Sequence, residues 1–150
     1  MAFRDPYLAM SAQPPSQIVL RGQLPELGRL SQWVADVSEA QQLPARLASH
    51  VDLCLTELVT NAIIHGYAKI IAPPDAIIVK FLRQSTGITW RIEDHGIAFD
   101  PSTQALPALP TSLEDAPIGG SGLRLVRKFA DHLEYHRENG TNHMTVFFSC

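Results

Sequence analysis

Cysteine is scarce in this sequence: only Cys54 and Cys150 occur among 150 residues. Two thiols so placed are too few for a disulfide framework or a thiolate metal site, and Cys54, inside an apolar run, reads as a small core or pocket-wall residue. A cationic surplus is also missing. The formal net charge is -3 and the few cations are scattered, which leaves no basic footprint for nucleic acid or an acidic membrane surface. Long hydrophobic runs are absent as well. The start, MAFRDPYLAMSAQPPSQ, has no apolar core of signal-peptide length, and no later run approaches the roughly 18 residues that span a bilayer. These absences predict a cytoplasmic protein with neither nucleic acid nor membrane as a direct partner. No internal repeat or low-complexity tract occurs.

What is present suits a globular domain. A content of 45% hydrophobic and 18% charged residues is enough to build one core in a chain of this length. Pro14 and Pro15 mark residues 1–16 as a flexible leader, leaving 17–150 as a single domain.

Hydrophobic periodicity orders the elements. Gln17 to Leu24 alternates as a strand. Pro25 opens a helix carried by Leu27, Leu30, Val34 and Val37, which ends near Gln42. Pro44 restarts the chain into a second helix, with Val51, Leu55, Leu58, Val59 and Ala62 on its apolar face and Gly66 as its stop. Ala76 to Leu82 and Gly87 to Gly96 form an antiparallel pair, and in the second of these Ile88, Trp90, Ile92 and Asp94 share a face. A proline- and glycine-rich stretch, Phe99 to Gly122, is too long for a passive connection and reads as a lid. A helix from Gly122 and a hairpin around NGTN close the chain. The order β-α-α-β-β-loop-α-β-β predicts an α/β two-layer sandwich: an antiparallel or mixed sheet with helices on one face.

Three constellations carry chemistry. In LCLTELVTNAIIHG, Glu57, Asn61 and His65 recur at four-residue spacing along a greasy helix. An amide oxygen at Asn61 is a hard ligand suited to Mg²⁺, and a carboxylate beside it can orient or deprotonate a hydroxyl; a solvated face is the ordinary alternative. In EDHGIAFDP, Asp94 ends a row of core residues, where a carboxylate needs donors, such as an exocyclic amine; a turn cap is the ordinary alternative. In GGSG, Gly119 to Gly122, backbone N–H groups before a helix suit a phosphate, or the glycines form a hinge. His132 and His136 have metal-like spacing, but the segment crosses from helix end into strand, which favours surface histidines over ligands.

In this order, ELVTNAIIHG, EDHGIAFDP and PIGGSGLRLVRKFAD resemble the Asn box and two glycine boxes of the ATPases that group gyrase, ninety-kilodalton heat-shock chaperones, histidine kinases and mismatch-repair proteins. The nearest resemblance is to bacterial anti-sigma-factor serine/threonine kinases, and it runs from about Gln17 to Phe148. It implies a Bergerat-type sandwich with ATP and Mg²⁺ between the long helix and a lid. Carried over residue by residue, Asn61 would hold Mg²⁺, Asp94 would accept from the adenine amine, and Gly96 would shape the base pocket. His65, Ala98, Phe99 and Leu123 would border the nucleotide, and Gly119, Gly120, Ser121 and Gly122 would meet phosphate. Thr145 would support Asp94, with Thr141 as a rival, and Glu57 would be the general base. Ala98 stands where the family usually has glycine, and Ser121 where a larger apolar residue is common.

The implied activity is phosphorylation of a small antagonist protein, which frees the kinase to hold a sigma factor or another effector. Self-association into a homodimer stays open. Two other readings stand beside it: an ATP-gated binding module without useful phosphotransfer, and a detached histidine-kinase catalytic domain.

Overall fold

The structure is a computed structural model that describes residues 16–103 and 121–150. Strand β1 (Gln17–Leu20) leads through a 3₁₀ turn, Leu24–Glu26, into helix α1 (Leu27–Ala40), and helix α2 (Ala45–Asn61) follows. Pro25 lies in the 3₁₀ turn, so the regular helix begins two residues after it, at Leu27, the first residue of the apolar spacing. Strands β2 (Ile77–Gln84) and β3 (Gly87–Asp94) form a hairpin, and α3 (Ser121–Phe129), β4 (His132–Glu138) and β5 (Thr141–Ser149) complete the chain. The five strands lie in the order β1-β2-β3-β5-β4. All four pairings are antiparallel, so no mixed sheet occurs among the described strands.

Alternation sets which side of the sheet is covered. Ile77, Val79 and Phe81 on β2, Ile88, Trp90 and Ile92 on β3, and Met144, Val146 and Phe148 on β5 are all buried. They form one core with Leu30, Val34 and Val37 of α1 and Val51, Leu55, Leu58 and Val59 of α2. Trp33 locks α1 down: its ring meets Trp90 edge-on at 5.7 Å and Phe81 at 6.0 Å, arrangements that suit aromatic quadrupoles. At the far edge, Asn139 (φ 49°) and Gly140 (φ 77°) both take left-handed backbone, the geometry a two-residue hairpin turn requires.

One composition-based expectation needs correction. Ala45–Gly66 is long and apolar enough to cross a membrane by length and composition alone. Val51, Cys54, Leu55, Leu58 and Val59 are nevertheless the core itself, covered by the sheet. Burial also explains Cys54, whose thiol is pushed up to about 12 by desolvation and then by the neighbouring Glu57 charge. That thiol is inert packing.

Replacing Trp33 with Ala removes the centre of the aromatic cluster and leaves a cavity between α1 and the sheet. It should cost about 3–5 kcal/mol of stability, measurable as a lower urea midpoint with unchanged slope.

Candidate functional site

The site is assembled where α2 ends against the exit of β3. After Asn61 the helix widens into a π turn over Ala62–Gly66, in which each residue rotates the chain less than in an α-helix. That extra residue per turn delivers Gly66 against Gly96. A Cβ on Gly96 would stand 2.6 Å from the Gly66 carbonyl carbon and oxygen, so the two backbones touch only because position 96 has no side chain. Ile97 N donates to Gly66 O at 2.8 Å across the same contact. Tyr67 adds a second clamp, donating to Ala76 O at 2.7 Å and accepting from His95 N at 3.0 Å.

Asp94 is buried at the end of the β3 row Ile88, Trp90, Ile92. Its Oδ1 accepts from Gly96 N and from Asn142 Nδ2, both at 2.9 Å, and among the described residues no donor reaches Oδ2. Burial raises the pKa of this carboxyl; the hydrogen bonds from Asn142 and Gly96 and the nearby Arg137 and His95 charges oppose that rise. Beside the acid opens a pocket lined by Leu58, Ala62, Ile92, Met144 and Phe99. Apolar walls with one buried acceptor suit a flat heteroaromatic ring that carries an amine.

Glu57 and Asn61 do not line that pocket, whose helical wall comes from their neighbours Leu58 and Ala62. Asn61 Nδ2 is buried with no partner among the described residues. Glu57 lies against the start of α3: a Cβ on Gly122 would sit only 1.9 Å from the Glu57 carboxyl carbon. Glycine at 122 therefore lets the helix backbone reach the carboxylate, a pairing that the positive end of the helix dipole favours. His65 leaves the polar stripe, because the π turn breaks the four-residue spacing, and stacks on Phe99 at 4.2 Å. Leu123 is buried in α3, and Ala98 is exposed beside Phe99. Gly119 and Gly120 lie outside the described residues, as does the stretch expected to form a lid from residue 104 onward, and Ser121 heads α3.

Two expectations are corrected. Thr145 pairs with Arg91, while the residue opposite Asp94 is Asn142. Side chains alternate along a strand, so Thr145, three positions on, points to the other face of the sheet and cannot support Asp94. Its rival Thr141 also lies on that other face, where its hydroxyl meets His95 Nδ1 at 3.0 Å. The phase of Asn142, Met144, Val146 and Phe148 along the strand marks the face that Asn142 shares with the core, while its place opposite Asp94 comes from the register. Arg137 and Tyr135, which hold Asn142, are legible only in the assembled sheet. His132 opens β4 just after the end of α3 and His136 follows on the same strand, so the pair shares no helical face. His136 stacks on His143 at 4.5 Å, His132 lies 3.6 Å from Glu134, and no cluster of three metal-ligating side chains occurs among the described residues.

A long helix laid over an antiparallel sheet, with a buried acid above an apolar pocket at their junction, is the layout of a Bergerat-type nucleotide-binding sandwich. The chain belongs to the histidine kinase-like ATPase domain family, whose model matches residues 21–148. It is 34% identical over 114 residues to the serine/threonine-protein kinase BtrW of Bordetella bronchiseptica, a match spanning 76% of this chain and 79% of that protein. It is 33% identical to the anti-sigma F factor of Clostridium beijerinckii over 64% of this chain and 66% of that relative. Among solved structures, the RsbU and RsbW domains of Rv1364c from Mycobacterium tuberculosis superpose with a TM-score of 0.62 at 14% identity, over 88% of this chain and 31% of that one. At that identity the likeness concerns the fold alone.

Gly96→Ala should be severely disruptive, because the methyl would meet backbone, which cannot swing away. A cost of about 1–3 kcal/mol, read by thermal denaturation, and protease sensitivity next to Ile97 are expected.

Proposed function

We propose that the chain is an ATP-dependent serine/threonine protein kinase of the partner-switching kind. The observation that carries this reading is Asp94: a buried carboxylate whose Oδ1 is occupied by Gly96 and Asn142 while no described donor reaches Oδ2, above an apolar pocket. Adenine supplies both an apolar face and an exocyclic amine, so Asp94 accepts from the base. Gly66 and Gly96 shape the pocket rim, and the glycine-rich segment entering α3 meets the phosphates.

Asn61 fits a role toward the phosphates and their metal. Its buried, unpartnered Nδ2 can donate to a phosphate oxygen while the amide oxygen serves as a hard ligand for Mg²⁺. The ion, when bound, would neutralise phosphate charge. Glu57, against the α3 start, accepts the proton of the attacking serine or threonine hydroxyl. The hydroxyl oxygen forms the new bond to the γ-phosphorus, and the bond to the bridging oxygen breaks with ADP as leaving group, in a step governed by positioning and charge. The protein substrate is a small antagonist, and its phosphorylation releases it so that the kinase can hold a sigma factor or another effector. The names of the relatives, a serine/threonine-protein kinase and an anti-sigma factor, support this reading.

Asp94→Asn separates binding from folding. Asp94's folded pKa is raised, so its stabilising contribution is present below the ordinary carboxylate range and is lost as pH rises through the folded value. Asn at this position keeps an oxygen for Gly96 and Asn142 and removes the burial cost of charge. The variant should therefore be at least as stable as wild type at pH 7, without the wild-type decline attributable to this group, yet lose ATP binding in calorimetry. Unchanged ATP affinity would remove Asp94 from the site.

Glu57→Gln tests catalysis. It should retain ATP affinity and melting temperature while radiolabel transfer from ATP, to an antagonist captured by pull-down with ATP present, falls about 10²- to 10⁴-fold. Wild type that transfers no phosphate to any partner it binds would favour the ATP-gated binding module instead.

A further inference from the structure

Asn142 uses every hydrogen-bonding position of its amide. Oδ1 accepts from Tyr135 Oη at 2.6 Å and from Arg137 at 2.7 Å, both on β4. Nδ2 donates to Asp94 Oδ1 at 2.9 Å and to Ile97 O at 3.1 Å, with Gly96 O at 3.4 Å. The orientation of the amide is unambiguous: on the oxygen side Arg137 can only donate, and on the nitrogen side the carboxylate and carbonyls only accept. Arg137 also donates to Gly96 O at 2.9 Å. The edge strand thereby reaches, through one amide, both the acid and the turn that follows it.

A saturated amide has no capacity left for a base, so its influence on a ligand must pass through Asp94. Resting on the nucleotide reading above, we infer that Asn142 is a positioning residue: by engaging Asp94 Oδ1 it turns Oδ2 to the adenine amine and keeps the carboxylate ionised, with Arg137 and Tyr135 of β4 holding the amide in that orientation. The charged and titratable groups facing Asp94 are Arg137 from β4, His95 beside it, and Tyr67 beyond the helix end. Arg137 and His95 favour the ionised form, and burial opposes it. Loss of the Asn142 donor leaves burial less opposed, and the carboxyl then takes up its proton at higher pH.

The test reads the Asp94 carboxyl ¹³C signal against pH in nucleotide-free protein, assigned with Asp94→Asn, alongside calorimetry of Mg-ADP across the same pH range. Asn142→Ala should move the Asp94 titration upward by about one to two pH units, and the acid limb of Mg-ADP binding should move with it. Arg137→Met, on the exposed edge strand and outside the pocket lining, should shift both in the same direction by less, and it serves if Asn142→Ala does not fold. A melting temperature that falls while the Asp94 titration and the pH dependence of binding stay in place would mark Asn142 as structural only and overturn the inference. Wild type that binds no Mg-ADP at any pH overturns the nucleotide reading and this inference with it; binding that is normal in wild type and unchanged in both variants overturns the inference alone.

Discussion

The contact between the backbones of Gly66 and Gly96 is the constraint on which the site depends. It exists because Gly96 has no side chain to hold the strand exit away from the helix end: a Cβ at position 96 would run into the Gly66 backbone. The π turn is its counterpart on the helix side: one additional residue in the last turn brings Gly66 to the sheet. The carbonyl of Gly66 then accepts from Ile97, the Tyr67 hydroxyl reaches the backbone of both Ala76 and His95, and Asp94 is left at the bottom of the junction. The backbone fit sets where the residue stands, and the hydrogen bonds from Gly96 and Asn142 orient its carboxylate.

Two asparagines at this junction show opposite hydrogen-bonding states. Asn142 is saturated, with donors on its oxygen and acceptors on its nitrogen. Asn61 has a buried nitrogen without a partner among the described residues. A buried unpaired polar group costs free energy comparable to a lost hydrogen bond, so the saturated amide fits a scaffold role and the unpaired one fits a place where a ligand completes the bonding. The same contrast applies within Asp94, where one oxygen is held by the protein and the other receives no described donor.

The fold tolerates wide divergence because it asks little of most positions. At 14% identity the RsbU and RsbW domain structure still superposes on this chain with a TM-score of 0.62. Alternating apolar residues on β2, β3 and β5, and an apolar stripe on α2, suffice to press the two layers together. Narrow requirements fall where a Cβ would run into backbone or carboxylate, as at Gly87, Gly96 and Gly122.

The sequence by itself determined the order of the elements, the inward row Ile88, Trp90, Ile92 and Asp94, and the three motifs that bear the family resemblance. Each of these is local: a period of two or 3.6 residues, or a short run of residue types, states it without reference to the rest of the chain. The Asn-Gly hairpin was legible for the same reason, since its backbone preferences belong to those two residues. Only the tertiary structure decided which residue stands beside Asp94, because strand register is a relation between segments some fifty positions apart; the last strand is legible as a strand, but its offset against β3 is not, and an odd offset reverses the face. It also decided that His65 leaves the helical stripe for Phe99, because the helix ends in a π turn that its own residue spacing does not announce, and that Arg137 and Tyr135 serve the site at all, because an edge strand acquires its neighbours only when the sheet closes.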